Sequence, residues 1–276
     1  MSRERGRDGA ESARRVVELR ARSAASTAIL REDAMRFVGR SSNISGKAAF
    51  AALLTALMIA LPGESSAATV SGVSIGSTRA ALLVPARPHG AIVLLAGGDG
   101  NIGVAEDGSI AREGNQLVRT RAAYASRGFA VLVPDAGVDV AAAVESMRKY
   151  GRVTLVGTSR GTQRAARGIA AGARPDRLVL TSGFLSDASG DTDNVMRILG
   201  SPDGLPPTLV IHHKHDGCAK TQPAGVGPFA AWAGSHARVM WLDGGSEDGN
   251  ACMARAHHGF AGIDGAVVSA VIHFAR

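Results

Sequence analysis

The segment Val153-Thr154-Leu155-Val156-Gly157-Thr158-Ser159-Arg160-Gly161 decides how this chain is read. Its first four residues are apolar or β-branched, as in a buried strand. Gly157 and Gly161 bracket a serine, and the stretch from Thr162 to Ala171 suits a helix. The order predicts strand, sharp turn and helix, with Ser159 at the apex. Such a turn strains the serine backbone and crowds both flanking positions, where a residue without Cβ fits. It also sets the serine hydroxyl at a helix N-terminus, where free N–H groups and the helix dipole favour a developing negative charge.

The five-residue pattern does not decide by itself in a chain with 35 glycines. It recurs at Gly72-Val73-Ser74-Ile75-Gly76, but there Ser77-Thr78-Arg79 leads straight into another strand-like run. With no helix after it, Ser74 reads as part of an early strand and turn, and context selects Ser159.

Outward from the turn, strands and helices alternate. Strands are expected at Val70–Ile75, Arg79–Val84, Ala91–Leu95, Phe129–Val133, Val153–Val156, Arg177–Thr181, Thr208–His212 and Ala237–Leu242. Helices are expected over residues 114–127, Val138–Tyr150, Thr162–Ala171 and Ile263–Phe274. This alternation predicts an α/β fold, a mostly parallel central sheet with helices on both faces.

The chain has 276 residues, 45% hydrophobic and 20% charged, which is enough for one globular domain with a large core. Its net charge of +7 is unevenly spread: residues 1–68 hold 11 basic against 7 acidic residues, and the rest 20 against 17. No basic block is interleaved with aromatics, so nucleic acid is not an expected partner. Residues 1–34 are polar and Arg-rich, an N-terminal extension consistent with a start at Met35 instead of Met1. Residues 35–68 read as a signal peptide. Arg36, Arg40 and Lys47 precede an apolar run from Ala48 to Leu61, then Pro62-Gly63 and the small residues Ser65-Ser66-Ala67-Ala68. The run is shorter than the ~20 residues that span a bilayer, so no stable membrane insertion is expected once the signal is cleaved. The mature domain is then 69–276, exported to the periplasm or secreted.

Together these features resemble the α/β-hydrolase superfamily. They are the elbow at Gly157–Gly161 after the fifth strand, the turn Gly97-Gly98-Asp99-Gly100 after the third, the order Ser, Asp, His toward the C-terminus, and His258-Gly259-Phe260 before the last helix. The resemblance covers roughly residues 69–276 and implies a serine esterase or lipase-like hydrolase with a small cap or none. It implies Ser159 as nucleophile, His258 as base with His257 as the alternative one register away, and Asp216 after the seventh strand as the acid. Asp187, after the sixth, is an alternative seat; Asp243 and Asp248 sit in a turn-like stretch. The oxyanion hole is expected from the backbone N–H groups of Arg160 and Gly98, with Asp99 as the alternative to Gly98.

The two cysteines lie close to these residues, Cys218 two past Asp216 and Cys252 six before His258. In an oxidising compartment they are expected to form a disulfide tying the acid loop to the histidine loop. The run His212-His213-Lys214-His215-Asp216 does not read as a metal site, because neighbouring residues on a strand face opposite ways. His213 is expected beside the site. The Arg160 side chain could meet a substrate carboxylate or pair on the surface. No cofactor is expected, since Gly97–Gly100 lacks the spacing of a dinucleotide loop. The expected partner is a small-molecule or polymeric ester, and a non-catalytic binding module is the reading of a different class.

Overall fold

A computed structural model describes residues 67–276. The extension expected at 1–34 and residues 35–66 of the expected signal segment lie outside the described residues.

The sheet has eight strands: β1 Thr69–Ile75, β2 Thr78–Val84, β3 Ala91–Leu95, β4 Ala130–Pro134, β5 Val153–Thr158, β6 Arg177–Thr181, β7 Thr208–His213 and β8 Ala237–Leu242. Their spatial order is β1-β2-β4-β3-β5-β6-β7-β8. β1 and β2 form an antiparallel hairpin that joins β4 antiparallel, and every pairing from β4 to β8 is parallel. Ser74 sits inside the hairpin, paired with Arg79, and Gly76 makes the tight turn at φ +58°.

The central strands β3, β4, β5 and β7 are buried along their whole length, which explains their continuous apolar runs. Alternate residues feed two cores. Val93, Leu95, Leu155 and Leu180 face one side. There they meet the helices α3 (Val140–Met147), α4 (Arg160–Ala170), α5 (Val195–Leu199) and α6 (Val226–Ala233). Ile92, Leu94, Val156 and Val179 face the other, against α1 (Gln116–Arg119), α2 (Arg121–Ala125) and α7 (Asp264–Ala275).

Several elements depart from expectation, the short α5 among them. The helix expected over 114–127 is two short helices, because the Thr120 hydroxyl donates to the Gln116 carbonyl at 2.7 Å where the chain steps from α1 to α2. The helix expected to reach Tyr150 tightens into a 3₁₀ turn over Arg148–Tyr150. α6 lies outside the expected helices. Pro228 falls in the first helical turn, where its missing N–H costs nothing.

The stretch from Phe184 to Pro206 does not rise as a separate cap. Its helix α5 lies on α4, with Val195 in the core, the Gln163 amide donating to the Asp193 carbonyl, and Arg167 paired with Asp193 at 2.7 Å.

Candidate active site

Ser159 has φ 52° and ψ −125°, a conformation outside the regions that L-residues favour. A strain of this kind costs about 1–3 kcal/mol and survives only where the surroundings dictate it. Here they do. A Cβ on Gly157 would fall 2.5 Å from the Gly161 carbonyl oxygen, and one on Gly161 would fall 2.1 Å from the Leu95 carbonyl oxygen. Both glycines are therefore required by contact, as the sequence predicts. The Ser159 N–H donates to the Thr181 carbonyl at 3.0 Å, which ties the apex to the end of β6. The side chain makes no capping bond to α4, so its hydroxyl is free for another partner. Arg160 opens α4, so its N–H has no preceding carbonyl within the helix to bond.

His258 and Asp216 meet across the C-terminal edge of the sheet. His258 lies in a 3₁₀ turn, His257–Gly259, and its Nδ1 is 3.0 Å from Asp216 Oδ2 with both side chains buried. Asp216 Oδ1 accepts the Cys218 N–H at 2.9 Å. Thr221, not singled out from the sequence, joins the pair: its buried Oγ1 is 3.2 Å from Asp216 Oδ2 and 3.0 Å from His258 Nδ1. The consistent assignment has the Thr221 hydroxyl donating to Asp216 while His258 Nδ1–H is shared between carboxylate and hydroxyl. That places the free lone pair of the ring on Nε2. The His258 loop is brought toward the elbow by Ser182, whose hydroxyl donates to the His258 carbonyl at 2.7 Å from the position next to Thr181. β5 and β7 flank β6, so Ser159 and Asp216 rise from strands about 10 Å apart.

The other candidates are engaged elsewhere. His257 stacks face to face on His213, with ring centroids 4.3 Å apart, and its Nδ1 lies 2.8 Å from Glu247 Oε2. His213 is buried at the end of β7, with Nε2–H donating to the Gly244 carbonyl and Nδ1 accepting the His215 N–H. Asp187 is exposed and paired with Arg197, whose guanidinium pulls its carboxyl down to about 2. Asp243 faces Lys214 and His215, and Asp248 faces Arg255. Behind Asp216, His212 is fully buried with Nε2 3.9 Å away, and burial lowers its pKa although the Asp216 charge works the other way. Trp232 packs on Phe229 in the α6 layer, and Trp241 stands on the edge strand β8, 42% exposed. Among the described residues, no group of three or more His, Cys, Asp or Glu is placed to hold a metal ion.

The loop after β3 comes up against Ser159. A Cβ on Gly97 would lie 3.1 Å from Ser159 Cβ, so at Gly97 the loop leaves little room beside the hydroxyl-bearing carbon. Gly98 adopts φ +61°, which suits glycine, with open space where a side chain would be. Further along, the Asp135 carboxylate accepts the N–H groups of Ile102, Gly103 and Val104 and holds the loop's far end. Partial burial works against that charge, but the N–H donors outweigh it and keep the pKa below the usual carboxylate value. Cys218 and Cys252 form a disulfide with Cα atoms 4.5 Å apart, joining the acid loop to the stretch before His258.

No family model and no curated protein matches this sequence. Solved structures do match in shape. A dienelactone hydrolase from Anabaena variabilis superposes with a TM-score of 0.54 at 15% identity, over 76% of this chain and 98% of its own. A hormone-sensitive lipase from a metagenome library gives 0.52 at 14% identity, over 86% and 92%. XC6422 from Xanthomonas campestris, described as an α/β serine hydrolase without a lid, gives 0.50 at 19% identity, over 78% and 97%. The chain has the α/β-hydrolase fold.

Proposed function

We propose that this α/β-hydrolase-fold protein is an exported serine hydrolase that cleaves carboxylic esters. The observation that carries the proposal is the buried Asp216–His258 hydrogen bond, its histidine loop bonded to Ser182 and a strained serine elbow with an uncommitted hydroxyl bonded to the adjacent Thr181.

In the proposed mechanism Ser159 Oγ attacks the acyl carbon while His258 Nε2 takes its proton. Asp216 holds the ring in the Nδ1–H tautomer and stabilises the imidazolium that forms. The tetrahedral oxyanion is met by the N–H of Arg160 and by that of Gly98, or of Asp99 in its place. His258 then gives its proton to the leaving alcohol. Water, activated by the same histidine, hydrolyses the acyl-enzyme and frees Ser159. The substrate is a small-molecule or polymeric ester. Export is supported by the signal-like segment 35–68 and by the Cys218–Cys252 bridge, a bond that persists in oxidising compartments.

The test is hydrolysis of short- and long-chain p-nitrophenyl esters by wild type and Ser159→Ala, each also exposed to a fluorophosphonate label. The expected result is ester turnover and labelling in wild type, both abolished in Ser159→Ala. Labelling without ester turnover would move the substrate to a thioester, a peptide or an acyl acceptor on the same residues. A folded wild type that neither turns over nor labels would overturn the proposal in favour of a binding module.

A further inference from the structure

We propose that Arg164 is a positioning residue that aims the N–H groups of the loop after β3 at the substrate oxyanion. This rests on the serine-hydrolase reading above.

Arg164 lies on α4, five residues beyond Ser159, and its guanidinium reaches back over the loop. It donates to the Ala96 carbonyl and, at 3.1 Å, to the Gly98 carbonyl. Between them, the Gly97 carbonyl accepts the Gly100 N–H at 3.3 Å. Three successive carbonyl oxygens are thus each held. The described peptide bonds are all trans, so every N–H points opposite the carbonyl of its own peptide plane. Holding the oxygens of residues 96, 97 and 98 therefore sets the directions of the Gly97, Gly98 and Asp99 N–H groups. None of those three N–H groups donates to a partner among the described residues. They are aligned through the oxygens and left unspent, as an oxyanion hole requires.

The fit is close on both sides. A Cβ on Gly100 would sit 2.9 Å from the Arg164 Cζ, so the loop wraps the guanidinium tightly at a glycine with φ +79°. The same loop passes close to Ser159 at Gly97, where an added Cβ would fall 3.1 Å from the Ser159 Cβ. Arg164 thus sets the distance between nucleophile and oxyanion donors by bonding one to the helix of the other. The planar guanidinium reaches two carbonyls at once; a lysine ammonium is a point charge without that fork.

The experiment compares wild type, Arg164→Lys and Arg164→Gln by ester kinetics and by the affinity of a boronic acid that forms a tetrahedral adduct on the serine. Rates are expressed per site titrated with fluorophosphonate, so unfolded molecules drop out of the comparison. The expected result is a kcat about 10- to 100-fold lower in both variants, up to the loss from removing one oxyanion donor. KM should stay within about threefold, and boronate affinity should fall in step with kcat. Lys, which keeps the charge and the reach to hold one of the two carbonyls, should lose less than Gln, whose side chain is shorter and neutral. A kcat per titrated site and a boronate affinity within about twofold of wild type in both variants would overturn the inference while leaving Ser159 as nucleophile. A wild type that is not labelled at Ser159 would overturn the serine-hydrolase reading and this inference with it.

Discussion

Thr221 places its buried hydroxyl 3.0 Å from His258 Nδ1, and 3.2 Å from the Asp216 oxygen that the same nitrogen faces. The three side chains form one closed hydrogen-bonded set. Removing the hydroxyl leaves the Asp216–His258 bond in place but takes a donor from the carboxylate. Thr221→Val, which keeps the volume, should lower kcat/KM about 2- to 10-fold, the range of one modest hydrogen bond. Steady-state kinetics on short-chain esters measures this. A variant equal to wild type would mean that Thr221 only packs.

Gly161 sits under the Leu95 carbonyl with no room for a methyl group. Gly161→Ala should lose about 3 kcal/mol or more, because a backbone oxygen cannot move aside as a flexible side chain would. Ser74→Ala, in the second match to the same pattern, should stay close to wild type in activity. Urea unfolding and ester assays of the two variants side by side separate the real elbow from its sequence double.

His212 predicts a pH dependence of stability. Burial holds its pKa below the ordinary value of about 6.5 in the folded state. The unfolded chain therefore binds a proton there that the folded chain refuses. Stability from this residue is complete above pH 6.5 and is lost as pH falls from that value toward the depressed pKa. His212→Gln should flatten the acid limb, by at most about 1.4 kcal/mol per pH unit, in urea unfolding between pH 7 and 5. Equal slopes in the two proteins would remove His212 from the acid response.

The Cys218–Cys252 bridge closes 34 residues of chain and joins the loop that carries Asp216 to the one that leads into His258. The Cys218→Ser, Cys252→Ser double variant should be less stable by about 2–4 kcal/mol. Ester activity should disappear at a lower temperature in the double variant. Calorimetry together with residual activity after heating tests both statements, and an unchanged Tm would contradict them.

The sequence by itself determined the elbow and the strand alternation, because these are local, whereas Asp216 and His258 followed from the resemblance to the α/β-hydrolase superfamily, which left Asp187 and His257 as alternatives. A turn with a serine at its apex needs small residues two positions either side, and the structure shows the atoms a Cβ would strike at Gly157 and Gly161. Buried parallel strands announce themselves as apolar runs, and the candidate acid Asp216 lies just past the end of one of them. Only the tertiary structure decided the rest. Thr221 meets His258 across 37 residues, and Arg164 reaches the Ala96 and Gly98 carbonyls across 68 and 66. His257 and His258 are neighbours in the chain, yet one stacks on His213 while the other meets Asp216. A threonine after an acid loop or an arginine in a helix carries no local mark of such a role. Its partner is a backbone or side-chain atom far along the chain, and which atom that is depends on how β3, β5 and β7 are brought side by side.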